Sequence, residues 1–341
     1  MNKVNRKFLF KLGIILILIW ISTRLILNSS YSQNYESQSH VLDSFKSKIQ
    51  RKKYNISCRS ILEMDPLEMK RAKILLSSVK TVINKKNKVK LLPDSNFHFE
   101  SEKCSQLKTI RGYDRYELSK IEKNLPLAYT ILTYNNVEQF ERFLRLIYRQ
   151  NNIYCIHIDT KSSNKVKKAI RSIANCFDNV FIATKLEYVV YASYSRLQAD
   201  LNCMSDLLNL DRLINKDRHE NLIGKRVIEW KYLLNTASSE FPLRTNYELA
   251  KILTMYNGSN EIEIIKHISP DRIKYSWKTT NNSQVPQMTN KTKSDPPHGY
   301  KIVKGYAYGA FARKFVSYAL VDNRAQDLIN WSMDTWSPDE W

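Results

Sequence analysis

Short apolar runs alternate with amphipathic segments along the chain from residue 125 onward. Runs rich in apolar and β-branched residues predict strands, and apolar residues spaced three and four apart predict the helices between them. The predicted strands are 127–133, 153–158, 179–183 and 230–234, and the predicted helices are 137–148, 165–173, 193–208 and 246–256. This alternation is typical of an α/β domain whose mostly parallel sheet is covered by helices on both faces.

The rest of the chain is more polar. Residues 28–56 are rich in Ser, Asn, Gln and Lys, which is typical of a stem, and 66–83 has the spacing of a further helix. Within the α/β region, the charged stretch 211–229 is predicted to be a solvated insertion. The stretch 278–298, rich in Thr, Asn, Lys and Pro, is predicted to be a mobile loop.

The N-terminal segment 8–27 is apolar, with Lys11 and Arg24 near its ends. Four basic residues precede its apolar centre and only Arg24 closely follows, so the positive-inside rule places residues 1–7 in the cytosol. The segment is long for a cleaved signal peptide and lacks a clear small-residue cleavage site, so a transmembrane signal anchor is favoured over that alternative. A stem and N-terminal lumenal region at 28–103 and a catalytic domain at 104–341 would then lie in the lumen.

A formal net charge of +21 raises the question of nucleic-acid binding. Residues 1–103 carry a net charge of +12, much of it in short basic runs. Neither aromatic interleaving nor zinc-ligand spacing accompanies these runs, so a solvated segment is favoured over a polyanion site. The 7 glycines form no dinucleotide-binding or P-loop motif. We therefore expect no nucleic-acid partner, and the mildly basic remainder suits an enzyme that binds a nucleotide diphosphate.

Cysteines and glycosylation sequons agree with a lumenal body. The chain has 5 cysteines, and an odd number leaves at least one without a partner in the chain. No two of them form a CxxC pair, which argues against a zinc site. Among the N-x-S/T sequons, Asn55, Asn281 and Asn290 lie in polar, loop-like sequence and are the best candidate acceptors.

Candidate chemistry lies where the predicted strands end, because ligands of parallel α/β sheets bind at the carboxyl ends of the strands. The first strand ends at Leu132, Thr133 and Tyr134, and the second at Asp159, Thr160 and Lys161. Asp159 could hold a ribose hydroxyl or cap the next helix, and capping is slightly favoured. His157, inside the second strand, is predicted to be a packed histidine rather than a base. Further on, Tyr191 precedes Ser193, which could cap a helix or help its amides to bind an anion.

The last segment, 331–341, sets carboxylates among tryptophans. Such a pattern suits sugar binding, since an indole can stack on a pyranose ring while Glu340 accepts a hydroxyl proton. Physical reasoning alone favours the plainer interpretation, an ordinary helix N-terminus in which the sequence Ser-Pro-Asp-Glu meets the helix dipole. No D-x-D pair is present to hold a metal-bound sugar nucleotide.

Several longer motifs occur together and in order: YCIHIDTKS at 154–162, VVYASYSRLQADLNC at 189–203, WKYLLN at 230–235, FPLRTN at 241–246 and DTWSPDE at 334–340. With them, the chain from about Cys58 to its end resembles the core-2/I-branching β-1,6-N-acetylglucosaminyltransferases. The resemblance implies a Golgi type II membrane protein with a GT-A-like, Rossmann-type fold. Such an enzyme moves GlcNAc from UDP-GlcNAc to a C6 hydroxyl with inversion and without a metal or other cofactor.

The resemblance also assigns roles to residues. It implies Glu340 as the general base, and Glu263 with Arg272 or Lys274 as acceptor contacts. It implies disulfides Cys104–Cys176 and Cys155–Cys203. The positions that match UDP-sugar contacts are Leu132, Thr133, Tyr134, Asp159, Thr160, Lys161 and Tyr191.

The chain departs from the family pattern at its end, since the sequence stops one residue after Glu340. Family members continue with cations for the diphosphate and a cysteine partner for Cys58, so we expect this chain to be weakly active or inactive. The main expectation is core-2 branching of Galβ1-3GalNAc. The alternatives are I-branching, peptide O-xylosyl transfer, and a non-catalytic lumenal glycan-binding protein.

Overall fold

The computed structural model describes residues 56–57, 60–61, 64–82, 92–215, 222–265, 269–280 and 284–340. The chain divides into two compact units, residues 1–90 and 91–341. In the first unit, helix α1 spans Pro66–Val82. The sequence-based boundary at residue 104 stays a prediction, and the second unit also includes the segment from 92 to 103, where Phe97 is buried.

Three predictions fall on residues outside the described ones and cannot be compared with the structure. They are the anchor at 8–27, the pairing of Cys58, and the glycosylation of Asn55 and Asn281. Among the helices that are described, none combines the length and apolar character needed to cross a membrane.

The second unit is a mixed α/β domain around a five-stranded sheet. The strands of this sheet are β1 Leu127–Thr133, β2 Ile153–Ile158, β3 Val180–Ile182, β4 Tyr232–Ala237 and β7 Ala310–Ala312; β5 Tyr275–Lys278 and β6 Gln287–Thr292 form a separate antiparallel pair. The order in the sheet is β3-β2-β1-β4-β7, in which the first four strands are parallel and β7 joins antiparallel to β4. The mostly parallel sheet confirms the α/β part of the predicted fold class, while its GT-A-like character and the N-terminal transmembrane helix stay predictions.

Helices flank the sheet, and every residue of β1 and β2 is buried, as a sheet covered on both faces requires. The helices are α2 Cys104–Arg111, α3 Lys120–Asn124, α4 Val137–Ile147, α5 Asn164–Asn175, α6 Tyr194–Asn215, α7 Asn246–Tyr256, α8 Asp271–Lys274, α9 Arg313–Val321 and α10 Asn323–Ser332. Helix α6 packs on β1 and β2, and its Met204 and Leu207 enter a core with Phe181 and the buried Trp230.

Both disulfides implied by the resemblance are present. Cys104–Cys176 ties the start of α2 to the end of α5, and Cys155–Cys203 joins β2 to α6 inside the core. The second bridge therefore fixes the helix that runs beneath the sheet.

The predicted solvated insertion at 211–229 is confirmed in part, because most of its described residues are exposed, but its two ends belong to the folded domain. Helix α6 continues to Asn215, and Leu222 is buried in the core. The Lys225 ammonium is partly buried and donates to the carbonyls of Ala174 and Phe177, at 3.0 and 2.7 Å. Charge density indicated solvent exposure here, but the long side chain of Lys225 reaches inward to backbone acceptors.

The predicted mobile loop at 278–298 is also wrong in part, because residues 287–292 form β6 and pair with β5. Asn290 lies in this strand and is exposed, rather than in a loop. Most side chains of β6 are exposed, so no alternation of apolar and polar residues revealed it.

Candidate active site

The carboxyl ends of β1, β2 and β4 form one edge of the sheet. Thr133 lies beside Ile158 in the register, and the Ser238 hydroxyl, just beyond β4, donates to Thr133 Oγ1 at 3.0 Å. The strand order runs outward in both directions from β1, which makes this edge a topological switch point where α/β sheets bind ligands. Leu132 and Thr133 are buried and Tyr134 is nearly half exposed, so a ligand meets the Tyr134 ring first.

Asp159 organises the turn after β2. Its Oδ1 accepts from the Lys161 amide at 3.0 Å, and its Oδ2 lies 3.3 Å from the Lys161 ammonium. The preference for Asp159 as a helix cap was wrong: Ser163 is the N-cap of α5, with its side chain accepting from the Val166 amide at 3.3 Å. Asp159 thus stays at the strand end, almost fully buried and paired with Lys161.

Lys161 lies among aromatic rings. Its ammonium is 5.1 Å from the Tyr134 ring centroid and 5.2 Å from that of Tyr188, and it also donates to the Val189 carbonyl. Thr160 takes part through its backbone: its amide donates a hydrogen bond to the Glu187 carbonyl at 3.0 Å. At a cation that lies between exposed aromatic rings, the ammonium can pair with a phosphate and the rings can stack on a nucleobase.

His157 is fully buried in β2, and its Nε2 accepts from the Glu187 amide at 2.8 Å. Burial lowers the pKa of His157, so the ring is neutral near pH 7. The prediction of a packed histidine is confirmed. Its hydrogen bond holds the loop that carries Tyr188 and Tyr191.

Tyr191 is largely exposed, and the next residue connects its loop to the C-terminal segment. The Ala192 carbonyl accepts from the Ser337 amide at 2.9 Å, and both residues have positive φ. At the start of α6, the Ser193 hydroxyl accepts from the Ser195 amide at 3.3 Å, as an N-cap does. The loop that carries Tyr191 and the end of the described chain are therefore joined directly by a hydrogen bond.

Residues 337–340 form a short segment that we call the base turn. It contains the 3₁₀ turn Pro338–Glu340. The Glu340 amide donates to the Ser337 carbonyl at 3.0 Å, and the Glu340 carbonyl accepts from the Gly305 amide at 2.6 Å. A Cβ on Gly305 would lie 3.1 Å from the Glu263 carbonyl and 3.4 Å from that of Glu340, so glycine permits this close approach.

Two cations hold the Glu340 carboxylate. The Arg272 guanidinium donates to its Oε2 at 2.6 Å, and the Lys304 ammonium lies 3.4 Å from the same oxygen. The Glu340 side chain is 25% exposed, so the carboxylate is oriented yet open to a proton donor. Lys304 was missed by sequence reasoning, since no local pattern links it to Glu340.

The other predicted acceptor contacts lie differently. Glu263 is exposed and reaches the base turn through its backbone beside Gly305. Lys274 is exposed, with its ammonium 5.4 Å from the Tyr275 ring centroid. Arg272, rather than Lys274, is therefore the α8 cation that contacts Glu340.

An aromatic-lined cavity adjoins the residues that immediately precede the base turn. The rings of Trp277 and Trp336 are 4.7 Å apart, and Trp277 faces a cavity of about 650 Å³ that Tyr188, Tyr194 and Thr335 also line. Sequence reasoning missed Trp277, which lies in the partly buried strand β5. Aromatic faces beside hydroxyl groups can pack against sugar rings.

No group of three or more His, Cys, Asp or Glu side chains in the described part of the chain is placed to hold a metal ion. A metal-independent reaction stays a prediction.

The family model described as Core-2/I-Branching enzyme matches residues 127–341. The chain is 37% identical over 289 residues to the β-1,3-galactosyl-O-glycosyl-glycoprotein β-1,6-N-acetylglucosaminyltransferase 3 of Mus musculus, covering 84% of this chain and 61% of the mouse protein. It is 35% identical over 343 residues to the β-1,3-galactosyl-O-glycosyl-glycoprotein β-1,6-N-acetylglucosaminyltransferase of Bovine herpesvirus 4 (strain LVR140), covering 97% of this chain and 72% of the viral protein.

Among solved structures, the 4-diphosphocytidyl-2C-methyl-D-erythritol synthase of Anaerococcus prevotii is similar over 64% of this chain and 87% of its own, with 12% identity and a TM-score of 0.27, too low to establish a shared fold. The chain spans about three fifths of the mouse relative's length. With a family model that matches well over half of its residues, the chain belongs to the core-2/I-branching enzyme family.

Proposed function

We propose that this protein transfers GlcNAc from UDP-GlcNAc to the C6 hydroxyl of the GalNAc in Galβ1-3GalNAc, a core-2 branching reaction. The names of the relatives, β-1,3-galactosyl-O-glycosyl-glycoprotein β-1,6-N-acetylglucosaminyltransferases, support this acceptor class. The observation that carries the proposal is the Glu340 carboxylate, oriented by Arg272 and Lys304 on a turn joined to the donor-side loop.

The proposed reaction is a one-step displacement on a GT-A-like scaffold. Glu340 accepts the proton of the C6 hydroxyl while that oxygen attacks C1 of GlcNAc. The new O6–C1 bond forms as the bond from C1 to the UDP phosphate breaks on the opposite face, so the configuration inverts. On the donor side, Asp159 meets the ribose and Lys161 meets the developing diphosphate charge, with no metal required.

We further propose that the protein is a Golgi type II membrane protein with its catalytic domain in the lumen. The apolar segment 8–27 with its basic flank supports the anchor. The two disulfides support an oxidising compartment. Exposed Asn290 stays a candidate glycosylation site, as do Asn55 and Asn281.

The test is transfer of labelled GlcNAc to a Galβ1-3GalNAc glycoside, with the product linkage determined by NMR. We expect transfer that yields a β-1,6 linkage, and Glu340→Gln should lower kcat by about 100-fold or more while UDP binding is retained. Asp327→Asn is the matched control, because this exposed carboxylate pairs with His298 away from the base turn.

Three results would contradict the proposal. They are no detectable transfer of GlcNAc, transfer of xylose to a peptide in its place, and a Glu340→Gln variant as active as the wild type.

A further inference from the structure

A buried polar network lies behind the base turn, in the middle of the sheet. Asp200, on α6, accepts from the Thr130 hydroxyl of β1 at 2.5 Å and from the Asn235 amide group of β4 at 3.3 Å. One helical turn earlier, Arg196 forms an ion pair with Asp200, and both side chains are largely buried, at 14% and 3% exposure. The guanidinium is therefore fixed to the two central strands of the domain.

The same guanidinium lies close enough to the base turn for its charge to act there. Helix α6 packs against the Pro338–Glu340 turn, and the charges of Arg196 and Asp339 act on each other. Arg196 Nη2 and Asp339 Oδ1 are both buried, and neither has a hydrogen-bond partner among the described residues. An unmatched buried polar atom is costly, and the attraction between the opposite charges of Arg196 and Asp339 offsets part of that cost.

Further contacts close the network around the guanidinium. Arg196 lies 5.5 Å from the Tyr308 ring centroid, and the Asn235 amide group donates to the Ala307 carbonyl at 2.6 Å. Burial raises the pKa of Asp339, and the positive charge of Arg196 opposes that rise. Arg196 thus favours the ionised form of the residue that immediately precedes Glu340.

We propose that Arg196 is a positioning residue: fixed to the sheet by Asp200, it holds Asp339 and thereby keeps the Glu340 carboxylate in its reactive orientation. The inference rests on the proposed function, since it concerns the orientation of the proposed base. The alternative is that Arg196 serves only the stability of the domain, as many partly buried ion pairs do.

A matched ion pair separates these two roles. Arg111 pairs with Glu141, at 12% and 0% exposure, so its burial closely resembles that of the Arg196–Asp200 pair. It joins α2 to α4 through this pair. A purely structural role predicts that Arg111→Gln and Arg196→Gln behave alike.

The experiment compares the wild type with Arg196→Gln, Arg196→Lys, Asp339→Asn and Arg111→Gln. Asp339→Asn leaves the Arg196–Asp200 pair intact, which guards against a misfolded Arg196→Gln variant. Hydrogen exchange is measured at the Gly305 and Ser337 amides, whose bonds to Glu340 and Ala192 hold the base turn. Steady-state kinetics and thermal unfolding are measured on the same samples.

Positioning predicts that Arg196→Gln and Asp339→Asn speed exchange at both amides by roughly tenfold and lower kcat by up to about 100-fold, with a much smaller change in KM. Arg196→Lys should recover only part of the loss, because a lysine lacks the forked guanidinium. Arg111→Gln should lower the melting temperature without either effect.

Unchanged exchange in Arg196→Gln and Asp339→Asn would overturn the positioning role, whatever the turnover. So would the same changes in Arg111→Gln. Faster exchange in Arg196→Gln and Asp339→Asn, in a protein that transfers no GlcNAc, would support the positioning role and overturn the proposed function instead.

Discussion

Burial fixes the charge state of His157, and this has a consequence for stability. Its folded-state pKa is lowered, whereas in the unfolded chain the imidazole titrates near its ordinary value of about 6.5. Below that pH the unfolded state binds a proton that the folded state excludes, so acid favours unfolding. We expect His157 to cost up to about 2 kcal/mol of stability between pH 7.5 and pH 5.

His157→Gln tests this, because glutamine offers the Glu187 amide an acceptor without titrating. Urea unfolding at the two pH values should show that the wild type loses its advantage over the variant on acidification. Other groups with shifted pKa values, such as Glu240, are shared by both proteins and cancel in the comparison. A stability difference that is independent of pH would show that His157 does not titrate as argued.

Single residues also show where sequence reasoning reaches its limit. His157 was placed correctly because an apolar run on both sides buries it. The contact between Arg272 and Glu340 spans 68 positions, and Lys304 arrives from yet another segment. Local patterns carry no information about such long-range pairs, so family resemblance supplied Arg272 and nothing supplied Lys304.

At the scale of elements, the turn between β2 and α5 contains one residue with a structural role and one with a proposed functional role. Ser163 caps the helix, whereas Asp159 accepts from the Lys161 amide and is proposed to contact the donor. We expect Ser163→Ala to lower the free energy of unfolding by about 1 kcal/mol with UDP affinity unchanged. Asp159→Asn should weaken UDP binding roughly tenfold. Calorimetric titration measures the affinity for UDP, and urea unfolding measures the stability. Weaker UDP binding by Ser163→Ala would contradict the purely structural role given to Ser163.

The central elements were predicted well and the peripheral ones poorly, for one physical reason. Strands β1 and β2 have the predicted bounds because they are buried on both faces, which makes their sequence continuously apolar. Strand β6 is mostly exposed and polar, so composition indicated a loop. At Leu222, one apolar side chain amid charges enters the core, a contact that composition averages away.

At the scale of the whole molecule, the two disulfides differ in their access to solvent. Cys155 and Cys203 are fully buried in the core, whereas Cys104 is partly exposed and lines a cavity of about 350 Å³ with Phe99. An attacking thiolate must reach a sulfur atom, so the core bridge can be reduced only when the domain opens. Accessibility, rather than loop length, should therefore set the order of reduction.

Under native conditions, dithiothreitol should reduce Cys104–Cys176 at least about tenfold faster than Cys155–Cys203. Timed trapping with N-ethylmaleimide followed by peptide mass spectrometry measures both rates in one sample. In denaturing urea the two rates should converge, because the difference arises from folded structure and not from the thiols themselves. Equal rates in the native protein would mean that the domain opens as readily at its core as at its surface, contrary to the packing around β2 and α6.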